Sequence, residues 1–96
     1  MGPTMKLVEA IRDLSALDAE GTIYASQPWA ENSEVIVARE PETGGLPVEA
    51  AQHGLIYFLE VFIARDVMEG WMATLDAQPT LHQKCARLIE YATTDA

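Results

Sequence analysis

Ninety-six residues suffice for one domain and are too few for two independent cores. Hydrophobic residues make up 49% of the chain, but 14 of them are alanines, so the supply of large core side chains is modest. Fifteen acidic residues against six Lys and Arg give a formal charge of −9, which argues against direct nucleic-acid binding, because gripping a phosphate backbone needs a basic patch.

Leu7, Val8, Ile11, Leu14 and Leu17 recur at helical spacing with Lys6, Glu9, Arg12 and Asp13 off the stripe, which predicts an amphipathic helix over residues 4–17. Asp18 and Gly21 end it, since glycine tolerates the conformation beyond a helix C-terminus. Thr22-Ile23-Tyr24-Ala25 is short, β-branched and aromatic and runs into Pro28, so it reads as a first strand. Glu34-Val35-Ile36-Val37-Ala38-Arg39 reads as a second, antiparallel to the first through a loop carrying Trp29. Pro41, Gly44, Gly45 and Pro47 mark residues 40–54 as a long loop with a helical turn at 48–52. Residues 55–61 are apolar on nearly both faces, broken only by Glu60, and predict a central strand covered on both sides. Ile63, Val67, Trp71 and Leu75 recur every fourth residue, with Ala64, Met68 and Met72 beside them, and predict a second helix over 63–75 with a wide apolar face. Thr80-Leu81-His82-Gln83 matches a capping box and opens a third helix over 81–92, with Leu81, Cys85, Leu88, Ile89 and Ala92 as its buried stripe.

The fold class that results is α+β, with the order α-β-β-β-α-α and a small, mainly antiparallel three-stranded sheet packed against helices. Residues 1–96 form a single domain in this reading. Open sheet edges invite pairing with another chain, so a homodimer through the sheet or the second helix is expected.

No residue pattern identifies a reaction, and no catalytic residue, cofactor or metal site is assigned. The two histidines lie 29 positions apart and no acidic cluster has calcium-loop spacing. Gly44-Gly45 lacks the spacing of a phosphate cradle. His82, at a helix start, reads as a solvent-facing residue, and Cys85, on a core stripe, as a buried, inert thiol. Glu60, alone in an apolar strand, is either desolvated or paired with Arg65, and the cost of burying a charge favours the pair. As the only cysteine, Cys85 excludes an internal disulfide and fits a reducing, cytoplasmic setting. The start of the chain lacks the regions of a signal peptide, and the apolar stretch over 55–72 is broken by charges, so a soluble protein without a membrane span is expected.

The acidic residues are unevenly spread. Asp18, Glu20, Glu31, Glu34, Glu40, Glu42 and Glu49 stand against Arg39 alone within residues 18–49. An acidic face formed by Glu31, Glu34, Glu40 and Glu42, with Tyr24 and Trp29 among the charges, suits recognition of a basic protein, because charge steers encounter and aromatics supply contact. Solubility is the plainer explanation of the same charge. A different class of function is a small-molecule binding domain or minor enzyme, with a pocket between sheet and helices lined by His53, Tyr57, Glu60, Trp71 and Met72. In a third, purely structural role, Phe58, Phe62 and Trp71 form an oligomer interface.

The succession Thr22-Ile23-Tyr24, Trp29, Glu34-Val35-Ile36-Val37, Gly54-Leu55-Ile56-Tyr57-Phe58-Leu59-Glu60-Val61 and Asp66-Val67-Met68-Glu69 resembles small bacterial proteins carried on mobile elements. These include integron gene-cassette products and immunity-like proteins that neutralise a secreted toxin. The resemblance implies a compact α+β accessory protein that acts by binding, and it carries over no catalytic residue.

Overall fold

The computed structural model describes residues 4–94, so the reading of the first three residues as free of a signal sequence lies outside the described residues. Met5–Lys6 form a two-residue strand, β1, and helix α1 covers only Leu7–Arg12 before a 3-10 turn at Leu14–Ala16. The single helix expected over 4–17 is thus a strand, a short helix and a turn. The cause lies in the partners of the first helical amides. Leu7 N–H donates to the Ser33 carbonyl at 2.9 Å and Val8 N–H to that of Glu31 at 3.0 Å, so the chain runs extended up to Lys6 and winds only afterwards. Glu9 reaches back to accept from the Lys6 amide at 2.8 Å.

Strands β2 (Thr22–Ala25), β3 (Glu34–Ala38) and β4 (Ile56–Glu60) join β1 in one antiparallel sheet with the order β1-β3-β2-β4. Four strands replace the expected three. Helix α2 (Val48–Gln52) is the helical turn expected in the long loop, α3 (Val61–Met72) follows β4 with no intervening residue, and α4 spans Leu81–Thr94. The α+β class stands, whereas the order α-β-β-β-α-α omitted β1 and α2.

β4 is an edge strand, not the central one. The strand buried on both faces is β2, every residue of which is buried. A bulge explains the misreading. Ile23 pairs with Leu59 and Tyr24 with Tyr57, so Phe58 is an extra residue in β4. Phe58 and Leu59 therefore both enter the helix-side core, and an edge strand acquires an apolar run that looks two-sided.

On that side of the sheet, α1, α3 and α4 close over Ile23, Val35, Phe58 and Leu59. The buried stripe of α3 is Val61, Ala64 and Met68, of which Ala64 and Met68 belong to the predicted wide apolar face; of Ile63, Val67, Trp71 and Leu75, Leu75 is exposed and the others half-buried. In α4, Cys85, Leu88 and Ala92 are buried as expected. Its capping box is formed: Thr80 N–H donates to Gln83 Oε1 at 2.8 Å and Gln83 N–H to Thr80 Oγ1 at 3.1 Å. Arg65 does not pair with Glu60. Its guanidinium donates to the carbonyls of Leu14 and Ser15, each at 3.1 Å, and to that of Leu17, holding the turn after α1 against α3. These carbonyls lie past the end of α1, where the 3-10 turn bonds only that of Leu14, through the Leu17 amide at 3.3 Å.

Candidate functional site

The second face of the sheet carries the candidate site. Strand alternation sends Thr22 and Tyr24 of β2 to the face opposite Ile23, and the register sets Tyr57 beside Tyr24 and Glu60 beside Thr22. This face has a small core of its own, in which Tyr24 packs with Ala50 of α2 and with Leu55. Gly44 and Gly45, with φ of 79° and 78°, turn the loop after β3 back over the sheet, a left-handed conformation that glycine adopts without a Cβ clash. Beneath that loop lies a cavity of about 280 Å³. Thr22 and Tyr24 line it, with Tyr57 and Glu60 on the β4 side and Glu40, Gly45 and Leu46 on the loop side.

Its polar groups are hydroxyls and carboxylates. Tyr57 O–H donates to Glu60 Oε2 at 3.4 Å. Burial raises the Tyr24 phenol above the usual tyrosine range, the neighbouring Thr22 hydroxyl pulls it back, and Glu40 and Glu60 raise it further. Tyr57 is likewise raised, by burial first and then by the charge of Glu60. Among the described residues no cationic side chain lines the cavity. The nearest in sequence, Arg39, points elsewhere: its Nε lies 2.8 Å from Asp18 Oδ2 and its Nη1 3.8 Å from Glu20 Oε1.

The structure divides the two predicted residue sets and brings together two residues of each. From the acidic face, Tyr24 and Glu40 reach the cavity, and from the proposed pocket, Tyr57 and Glu60 do. Tyr24 is only 2% exposed, so it is a wall and not a surface contact. Trp29, expected among surface charges, instead packs edge-on against Phe58 with ring centroids 4.9 Å apart, and its Nε1–H donates to the Ala25 carbonyl at 3.4 Å. Its apolar ring finds more to bury on the core than among carboxylates. Glu31 contacts His82, and Glu34 accepts from His53, whose Nδ1 is 3.0 Å away, so both carboxylates tie segments of the fold together. Glu42 is exposed on the loop outside the cavity.

His53, Trp71 and Met72 do not join Tyr57 and Glu60. Trp71 lies against Gln83 and Arg87 of α4, and Met72 lines a separate hollow between α1, α3 and α4. That hollow holds Arg12, Arg65 and Lys84, but Arg12 is paired with Asp13 at 2.9 Å and Arg65 is committed to backbone carbonyls. Phe58 is 1% exposed and so is unable to form an oligomer surface, although Phe62 is half exposed. Cys85 is fully buried, and burial with the nearby Glu31 charge pushes its thiol up to about 11. Thr22 and Leu46 were not anticipated as site residues. Thr22 shares a strand face with Tyr24 by simple alternation, the one signal available in the sequence.

Among the described residues no cluster of His, Cys, Asp and Glu is arranged to hold a metal ion, and no helix is long and apolar enough to cross a membrane. No family model, curated protein or solved structure matches the chain.

Proposed function

We propose that the protein is a cytoplasmic, non-enzymatic binding module that engages a basic protein partner through the loop side of its sheet. The resemblance to immunity-like accessory proteins points the same way. One observation carries the reading: Glu40 and Glu60 open on a common cavity with no cation in its lining among the described residues, while Arg39, the only Lys or Arg of residues 18–49, is held by Asp18 and Glu20. Glu42, exposed on the same loop, extends the acidic surface. Unpaired charge at one place steers a basic partner to that place, whereas evenly paired charge does not.

Binding of a poly-L-lysine peptide, measured by calorimetry, tests this. Replacing Glu40 and Glu42 by Lys is expected to weaken binding about tenfold or more, and the charge-matched replacement of Glu69 and Asp76 by Lys should have little effect. Equal losses from the two variants would reduce the effect to net charge and defeat the reading. A second copy of the chain is a further partner in this proposal. β4 is an open edge, and Ile56 and Tyr57 on it are exposed, so a dimer joined there disappears when proline replaces an edge residue. A strictly monomeric wild-type chain by sedimentation at high concentration would remove it.

A further inference from the structure

We propose that the cavity beneath the 40–47 loop is a receptor for one organic cation head, the ammonium or guanidinium at the end of a flexible aliphatic stem. This rests on and deepens the acidic-face reading, by naming what part of a basic partner the face would take.

The inner wall is the first ground. Thr22 and Tyr24 are 5% and 2% exposed, and the cavity they line is what they still face. The Tyr24 phenol lies beside the Thr22 hydroxyl, so two buried polar groups form the inner wall of the cavity. The balance of donors and acceptors is the second. Two carboxylates and three hydroxyl oxygens surround the space, a surplus of acceptors that suits a ligand made only of donors. An ammonium has three such donors and a guanidinium five, and neither accepts. The rings of Tyr24 and Tyr57 add faces that attract a cation, and Leu46 offers an apolar rim for methylenes.

Size and donor count exclude the alternatives. At about 280 Å³ the cavity falls at or below the small end of pockets that enclose drug-sized ligands, roughly 300–1,000 Å³, which fits a side-chain head better than a nucleotide. A calcium ion takes six to eight oxygens, roughly, and two carboxylates without a third His, Cys, Asp or Glu beside them supply too few.

The test is a titration of the full chain, followed by amide chemical shifts, with n-butylammonium, with the peptides acetyl-Gly-Lys-Gly-amide and acetyl-Gly-Arg-Gly-amide, and with neutral n-butanol. Saturable shifts confined to Thr22, Tyr24, Tyr57, Glu60 and the 40–47 loop are expected with the cations and not with butanol. Glu60→Gln and Glu40→Gln should each raise Kd about tenfold, and Tyr24→Phe should raise it less, with spectra otherwise unchanged as proof of folding. Peptides binding about tenfold tighter than the amine assign the head to a partner's side chain, and equal or tighter binding of butylammonium assigns it to a free amine; both support the site. Equal shifts with butanol, or unsaturable shifts spread over all carboxylates, overturn it. Poly-L-lysine bound through Glu40 and Glu42 with a silent cavity would overturn the receptor and leave the acidic face standing. A filled cavity without poly-L-lysine binding would do the reverse.

Discussion

On its helical side the sheet is closed by α1, α3 and α4, which bury Ile23, Val35, Phe58 and Leu59 together with the apolar stripes of three helices. On the other side, among the described residues, only α2 and the loop before it lie over the strands, and the core there amounts to Tyr24, Ala50 and Leu55, with Ile36 partly covered. The same strand serves both: Ile23 and Ala25 of β2 point one way, Thr22 and Tyr24 the other. Where helices cover a strand, apolar packing leaves no room for polar groups. Where a short helix and a glycine turn cover it, a cavity remains and hydroxyls and carboxylates face into it. The first side holds the fold, and the second keeps polar groups facing a cavity.

Adjacent residues of β4 offer the strongest way to break that contrast. Phe58 is fully buried among the helices and touches Trp29 edge-on, whereas Tyr57 points to the other side and is 43% exposed. Phe58→Ala is expected to cost about 3–5 kcal/mol of unfolding free energy through lost transfer and a residual cavity. Tyr57→Ala should cost about 1 kcal/mol or less, as for a surface position. Denaturant titration at unchanged m-value reads both. Similar losses for the two would mean that the loop side is a second core and no place for a ligand.

Much of this arrangement was legible in the sequence where the signal is local. β-branched runs located β2 and β3, Thr80 and Gln83 located the start of α4, and the breakers Pro41, Gly44 and Gly45 located the loop. Failures have a common cause in long-range pairing. Two residues, Met5 and Lys6, have no period to read, and they are a strand only because β3 lies beside them. The bulge at Phe58 sends consecutive residues to one side, which alternation forbids, so an edge strand looked central. Tyr24, Glu40, Tyr57 and Glu60 were all singled out, but in two separate sets, because only the pairing of β2 with β4 sets Tyr24 beside Tyr57. Trp29 looked like a surface aromatic from its acidic neighbours, although an indole gains most by reaching the core.

Arg65 sharpens the helical half of the contrast. It spans about fifty positions to bond the carbonyls of Leu14, Ser15 and Leu17 at the turn after α1. Arg65→Ala is expected to cost about 2 kcal/mol, the scale of hydrogen bonds to a charged donor. Arg65→Lys should recover little of it, since a single ammonium lacks the planar fork that meets several oxygens at once. Full recovery by lysine in thermal unfolding would show that charge, and not geometry, makes this latch.

On the loop half, Gly45→Ala probes the roof of the cavity. Nothing crowds a Cβ there, so the whole effect comes from the positive φ of 78°. A loss of about 1 kcal/mol is expected, the lower end of the cost of a left-handed alanine. A fully native stability would mean that the loop relaxes to another conformation, and the cavity amide shifts should then move with it.

The smallest effect concerns the ion pair that keeps Arg39 out of the cavity. The Arg39 guanidinium, with help from the Glu20 amide, holds the Asp18 carboxyl below its ordinary value of 3.8, against a smaller opposing effect of burial. A folded pKa lowered in this way contributes stability above the unfolded value, and the contribution disappears as pH falls through the folded one. Both side chains are largely exposed, 65% for Arg39 and 46% for Asp18, so salt should weaken the pair further. Arg39→Gln is expected to raise the Asp18 titration only part of the way, because the Glu20 amide still donates to it. The difference in Tm between wild type and variant should be present at neutral pH and close as pH drops below about 3.8. Carboxyl carbon shifts of Asp18 across pH 2–6 give the same answer residue by residue. An Asp18 titration unmoved by Arg39→Gln, joined to altered shifts at Tyr24 and Tyr57, would place the arginine over Glu40 in solution. The cavity would then carry its own cation, and the loop side of the sheet would be as internally satisfied as the helical side.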